Sequence, residues 1–374
     1  GEEGLHGPTG PTDWIGWDGG YREMPALLRE ASAAMPIAQG DDYVAGYTKD
    51  ELTEIGQSLP NHWGISRQTI DPNVGVGAVT GGSWEVGPGD LGMLFSLDYG
   101  NEWQNRLEDV TYYTVGSENQ LEKTNSYDLE ELTREVTLSG FATVDYALPN
   151  HRFTFNSFLA RISDHKARSY SGYNRDLGGE LRIRRTTWIE RMLLSQQLLG
   201  AHTIELESES RVELDWGYSL SHAMRLEPGR RESRVDYEES QNDWFISNRP
   251  EGNQILYGDL ADVGHDARVD GSWFFPQWDG EEAMLKSGLS FFTKGRGVDV
   301  RRFKYRHKGP LSFDPEILYQ DPEDIFVDAN INSEGFQLVE VTLNTDSYRA
   351  NQHTQAGYLM SELPLGWDTE WMGG

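Results

Sequence analysis

The sequence predicts an all-β protein, an antiparallel, up-and-down segment of a transmembrane β-barrel with short periplasmic turns and long extracellular loops. Three observations lead there. His202–Leu220 alternates throughout: Ile204, Leu206, Ser208, Ser210, Val212, Leu214, Trp216, Tyr218 and Leu220 share one parity, and Glu205, Glu207, Glu209, Arg211, Glu213, Asp215, Gly217 and Ser219 the other. A period of two sends alternate side chains to opposite faces of a strand. The run also exceeds both the about 5–6 residues of an ordinary strand and the roughly 9–11 of a spanning one. Second, similar segments recur along the chain. Third, the connections near 88, 150, 200, 279 and 366 read as short, and those near 118, 173, 241 and 325 as long. Regular alternation of short and long connections puts all the turns on one rim and all the loops on the other, as in outer-membrane barrels.

Taken in order, residues 1–73 lack sustained alternation and form an extracellular loop region, with one short helix over Met24–Ala34. Residues 74–374 form a partial barrel of about nine strands and the start of a tenth. Val74–Val86 is the first strand, closed by the turn Gly87-Pro88-Gly89-Asp90. Leu91–Tyr99 alternates, and a polar connection follows to about Glu130. Val136–Leu148 is the next strand. Pro149-Asn150-His151 turns into Arg152–Ser163, and another polar connection reaches about Arg182. Arg184–Leu199 is turned by Gly200-Ala201 into the long alternating stretch. Residues 221–262 read as loop, His265–Phe275 as strand, Trp278-Asp279-Gly280 as turn and Ala283–Phe303 as strand. An acidic loop over 304–345 precedes Ser347–Leu363. Pro364-Leu365-Gly366-Trp367-Asp368 then turns into the last strand.

Composition is compatible with this reading. No run approaches the about 18 apolar residues of a membrane helix, and a barrel's signal is dilute because every second residue is polar. Aromatics make up 11%, with 12 Trp and 17 Tyr, alongside 41 Gly. Acidic residues outnumber basic ones 61 to 32, for a net charge of −29, which argues against nucleic acid as a partner. There is no cysteine, so no disulfide framework or thiolate site. The opening Gly-Glu-Glu lacks an initiator Met or leader, and we expect a mature or internal fragment.

Candidate sites are few. The nine histidines are scattered without metal-ligand spacing, and no Gly-x-Ser-x-Gly occurs, so neither a metal nor a catalytic residue is expected and no cofactor is implied. Asp314–Asp328 offers carboxylates to a hard cation but lacks EF-hand spacing and reads better as a solvated loop. Trp84, Tyr146, Phe275, Trp278 and Trp367 lie beside short turns and fit an aromatic rim. Trp14, Trp17, Tyr21 and Arg22 form the candidate ligand-binding group at the outer mouth, set against the plainer reading of a loop packing on itself. The glutamates of 205–213 face the interior, where pairing with arginines of neighbouring strands is expected.

At this point a resemblance enters. Asp13-Trp14-Ile15-Gly16-Trp17-Asp18-Gly19 with Arg22 and Pro25 resembles the first extracellular loop in one branch of the TonB-dependent outer-membrane receptors. Leu285-Lys286-Ser287-Gly288 followed by Arg301-Arg302-Phe303-Lys304-Tyr305 is similar to a mid-barrel strand and its loop, and Ala356-Gly357-Tyr358-Leu359-Met360 with Leu363-Pro364-Leu365 to a later hairpin. The family's barrel has about 22 strands around a plug domain, and neither a plug nor a coupling box is recognisable here. The resemblance implies an internal barrel segment of a transporter in the outer membrane of a Gram-negative bacterium. Its partners would be lipid, a small-molecule or metal-chelate ligand, and the TonB complex acting through a plug domain. The ligand class stays open among siderophore-iron, cobalamin and oligosaccharide. A passive porin-like channel and a soluble β-rich carbohydrate-binding or carbohydrate-active protein are the alternatives. Taken as an expectation, an open sheet or an artificially closed smaller barrel follows from the missing strands.

Overall fold

A computed structural model describes residues 2–116, 119–249, 252–365 and 369–373. The elements are β1 (Glu3–His6), α1 (Ala26–Ala34), α2 (Lys49–Gln57), β2 (Ser66–Thr69), β3 (Val74–Val86), β4 (Gly89–Val115), β5 (Leu121–Ala147), β6 (His151–Asn174), β7 (Gly179–Glu205) and β8 (Arg211–Glu238). They continue with β9 (Asp243–Ile246), β10 (Gln254–Gln277), β11 (Glu281–His307), α3 (Pro315–Leu318), α4 (Pro322–Ile325), β12 (Phe336–Glu340), β13 (Tyr348–Leu365) and β14 (Thr369–Gly373). The protein is all-β. Ten strands from β3 to β14 pair antiparallel in an up-and-down path, each with its neighbours along that path, while β9 adds to β8 and β12 to β11. Among the described residues no ladder joins β3 to β14, so the sheet is open. No helix is long and apolar enough to cross a membrane among these residues, which says nothing of strands.

The expected strands are present, but several bounds were wrong. β3 matches its expected span. The polar connections expected near 118 and 173 are not long loops. Strand takes up most of them, with β4 running to Val115, β5 starting at Leu121, β6 running to Asn174 and β7 starting at Gly179. Residues 221–262 are likewise mostly strand. The turn expected at Gly200-Ala201 lies at 206–210 instead, where Ser208 and Glu209 take left-handed backbone (φ 63° and 57°) and reverse the chain. His202–Leu220 is therefore two arms of a hairpin, with Ile204 opposite Val212. Alternation survived the turn because an odd-length loop preserves parity between the arms. Gly200 serves a different purpose. A Cβ there would come within 2.3 Å of the Trp216 indole of the opposing strand, so the glycine makes room for the ring.

Strand alternation and register together sort the side chains. One row runs Trp84, Leu91, Tyr146, Phe153, Gly200, Trp216, Val269 and Leu289 across neighbouring strands. The next is Met93, Val144, Phe155, Leu198, Tyr218, Ala267 and Phe291. Both rows lie on one face, which we call the band face, near the end of the sheet that carries the turns at 87–88, 148–150, 206–210 and 278–280. Behind them, on the opposite face, the register reads Leu94, Thr143, Asn156, Gln197, Ser219, Asp266 and Phe292, polar in its five central strands. Trp84 and Tyr146 stand in the first row, beside their turns. Trp367 lies outside the described residues.

Above the band, toward the end where β6 passes into β7 at 175–178, residues 2–70 pack as a layer on the same face. α2 begins with a capping box in which the Thr48 side chain accepts from the Glu51 N–H and Glu51 accepts from the Thr48 N–H, which fixes its start. The helices close a small core with the connection 308–347: Leu28, Leu52, Ile55 and Trp63 pack with Phe303, Tyr305, Phe326, Phe336 and Leu338. The acidic stretch 314–328 contributes to this core through Ile325 and Phe326 rather than lying free. Its Asp314 caps α3, and its Asp321 pairs with Arg184 at 2.8 Å. Where the layer bears on the sheet, β8 carries an extra residue, visible as register shifts against both β7 and β10. Pro228, which has no N–H for a ladder, and Gly229 (φ 62°) occupy the bulge, and a Cβ on Gly229 would lie 2.8 Å from the Arg22 carbonyl.

Candidate functional site

The sequence-predicted group sits on this layer. Residues 13–22 form a tight loop, opened by a 3-10 turn and closed by left-handed Gly16. Arg22 holds it together. Its guanidinium donates to both Asp13 oxygens (2.9 and 2.7 Å), to Asp18 (2.8 Å) and to the Pro8 carbonyl (2.8 Å), and it lies over the Trp188 ring at 4.6 Å. At 7% exposure it is enclosed by these partners, and its charge is held by two carboxylates. Trp14 and Trp17 are exposed and Tyr21 is half-buried, stacked on His62 at 4.4 Å. The structure thus places all four residues in one loop, but commits Arg22 and one face each of Tyr21 and Trp17 to internal packing.

That loop is fastened to the sheet through Glu190 on β7. Glu190 pairs with Arg161 of β6, accepts the Asp18 N–H at 2.5 Å and accepts the Trp188 indole N–H at 3.0 Å. Arg161 in turn donates to the Gly16 carbonyl at 2.9 Å and lies 3.8 Å from the centre of the Trp17 ring. Glu190 and Arg161 are nearly fully buried (3% and 2% exposed). A buried pair with every oxygen satisfied fixes geometry more than it adds stability.

Beside this anchor opens a cavity of about 550 Å³, lined among others by Trp17, Glu23, Tyr257, Asp259, Asp299 and Arg301. Asp259 and Asp299 oppose each other across the β10–β11 ladder. Burial, and then the neighbouring Asp299, raise the Asp259 carboxyl above its ordinary value. The cavity offers aromatic faces and carboxylate acceptors to a polar or cationic ligand, and no nucleophile stands beside a base in it. Among the described residues no group of three His, Cys, Asp or Glu is placed to hold a metal ion.

The opposite face was not foreseen as a site. Above the level of the band it is laced with arginine–carboxylate pairs: Arg168 with Glu131, Arg185 with Glu232, Arg225 with Glu227, Arg191 with Asp164 and Arg296 with Asp262. Of the glutamates of 205–213, only Glu213 is ion-paired among the described residues, and with Arg211 of its own strand rather than a neighbouring one; Arg211 also reaches Glu282 of β11. Of the closely spaced Arg182, Arg184 and Arg185, only Arg185 belongs to this face, since alternation sends Arg182 and Arg184 to the layer side, where Arg184 pairs with Asp321. Comparison with protein-family models, curated proteins and solved structures finds no significant match.

Proposed function

We propose that these strands form part of the wall of an outer-membrane β-barrel transporter of the TonB-dependent kind, which takes up a scarce nutrient and performs no covalent chemistry. One observation carries this reading: two adjacent apolar rows, rich in Trp, Tyr, Phe and Leu, cross the strands on a single face while the other face at the same height is mostly polar, with Leu94, Leu199 and Phe292 its apolar members. Such a sheet needs an apolar solvent on one side only, which lipid supplies and water does not. Many of these side chains are bare in the isolated sheet; Leu289 and Phe291 are each 50% exposed. Strand length adds support. The 27 residues of β5, at about 3.3 Å each, reach about 90 Å, well past a lipid-facing band of about 25 Å. The wall then rises far above the membrane, and lipid meets only the end carrying the short turns.

In this reading the polar face lines the interior, and its partners are lipid outside and a small-molecule or chelate ligand inside. The layer of residues 2–70 shares the band face, so it rests against the outside of the wall above the lipid. Coupling to TonB would come from a plug domain. The test is topology. Single cysteines at Asn119 and Asn242 should react with a membrane-impermeant maleimide on intact Gram-negative cells, and one at Asn150 only after lysis. Labelling of Asn150 alone on intact cells would falsify the orientation, and equal labelling of all three would remove the membrane reading.

A further inference from the structure

On the polar face, above the band, lies a cleft of about 230 Å³ lined by Lys166, Arg168, Arg185, Arg225 and Arg230, with Glu131 and Glu227 as its carboxylates. Register builds it. Arg168 of β6 stands directly opposite Arg185 of β7, and Arg185 opposite Glu232 of β8. The bulge in β8 then brings Arg225 and Arg230 to one carboxylate, Glu227, at 2.7 and 3.3 Å. Arg168 donates to Glu131 at 2.6 Å and Arg185 to Glu232 at 2.5 Å. Lys166 makes no ion pair among the described residues.

Five cations therefore meet three carboxylates, Glu131, Glu227 and Glu232, and two positive charges stay uncompensated. An ion-pair ladder that served only the wall would balance. This one carries an excess of positive charge in a chain whose net charge is −29. Each guanidinium has five donors in a planar fork, and the pairs named above occupy only part of each fork. Forks of this kind match carboxylate and phosphate oxygens two at a time. Arg230 adds a supporting sign. Burial lowers its pKa from the ordinary value, and Arg185 and Arg302 add to that against the pull of Glu227 and Glu232. A bound anion would relieve this strain on the charge.

We propose that this cleft binds a small anion bearing two or more carboxylate or phosphate groups. The proposal stands on the cleft alone and does not need the membrane reading. The full chain, purified in detergent at low ionic strength where screening is weak, is titrated calorimetrically with citrate and, separately, with inorganic pyrophosphate. Saturable binding of either supports the proposal, and the stronger of the two identifies the anion chemistry. Arg230→Gln and Lys166→Gln should each weaken binding about tenfold. Glu227→Gln should tighten it, because it releases Arg225 and Arg230, whereas loss of a merely structural carboxylate would weaken it. Arg296→Gln, on the same face but outside the cleft, should leave binding within about twofold. Circular dichroism checks that each variant keeps its sheet. Lys166, which has no ion pair to lose, gives a variant that leaves the paired network intact. Absence of saturable binding of both anions at about 1 mM, unchanged binding in Lys166→Gln, or weakened binding in Glu227→Gln would each overturn the proposal.

Discussion

Phe155→Arg asks directly which face meets lipid. Phe155 is the fifth residue of β6 and sits between Val144 and Leu198 of the adjacent strands, with 39% of its surface exposed. Four steps of about 3.3 Å, tilted by about 40°, put it about 10 Å above the turn. That is close to the middle of a lipid-facing band about 25 Å tall, where arginine costs about 2–4 kcal/mol. The folding equilibrium should therefore fall by a factor of about 30 to 1,000. Asn156, the next residue, faces the other way between Thr143 and Gln197, and Asn156→Arg should stay within about 0.5 kcal/mol of the parent. Denaturant unfolding in phosphatidylcholine vesicles, with heat-modifiable gel mobility reporting the folded fraction, measures both. Equal losses, or a larger loss at Asn156, would refute the assignment of faces.

Gly200→Val should cost about 1–3 kcal/mol by driving a branched side chain into the Trp216 ring, and unfolding curves should show much of that loss recovered when Trp216→Ala is added. Glu190→Gln leaves Arg161 buried without its counter-charge, at a cost of about 3–5 kcal/mol. Limited proteolysis should then cut residues 2–70 faster than in the parent while the strands stay protected. Acid should loosen the same layer. Burial first, then Arg231 and Arg22, hold His62 down to about 4, opposed by Asp18; burial first, then Arg22, Arg134 and His6, hold His165 down to about 3. Both rings are neutral when folded but take up a proton near pH 6.5 when unfolded. Their stabilisation is complete above that value and is lost as pH falls toward 4. Amide protection factors across residues 2–70, corrected for the intrinsic pH dependence of exchange, should fall over that window, and a flat profile would contradict the assignment.

Some of the fold was legible because its signal was local. β3 was bounded correctly by the Gly-Pro turn after Val86, and the lower halves of β4, β5 and β11 alternate between apolar and polar, as a one-sided sheet must. The upper halves were missed for an equally physical reason. There one face is ion-paired, as at Arg168, Arg185 and Glu232, and the other mixes charged residues with core residues such as Ile255, Tyr257 and Phe303, so no clean apolar/polar alternation marks the strand. Gly200 was misread because glycine beside a turn and glycine beneath an indole look alike until the partner strand is known. α2 was legible and overlooked, since Thr48 and Glu51 carry the capping-box spacing. Proximity in sequence gathered Trp14, Trp17, Tyr21 and Arg22, but it could not show that Arg22 spends its donors on Asp13 and Asp18. The cationic cleft draws its members from β6, β7 and β8, and nothing in the sequence places them in register.

The two parts of the molecule differ in when they can be made. Each strand from β3 to β14 pairs with a neighbour along the chain, so the wall can zip up hairpin by hairpin with modest loops to close. The layer on top has no such shortcut. Its fastenings span 172 residues from Asp18 to Glu190, 269 from Ser32 to Arg301 and 303 from Ile37 to Glu340. Residues 2–70 precede all of these partners in the sequence. They must wait, unpacked, until β7 and then β11 and β12 stand in place. Position along the chain and order of settling thus run in opposite directions for this layer.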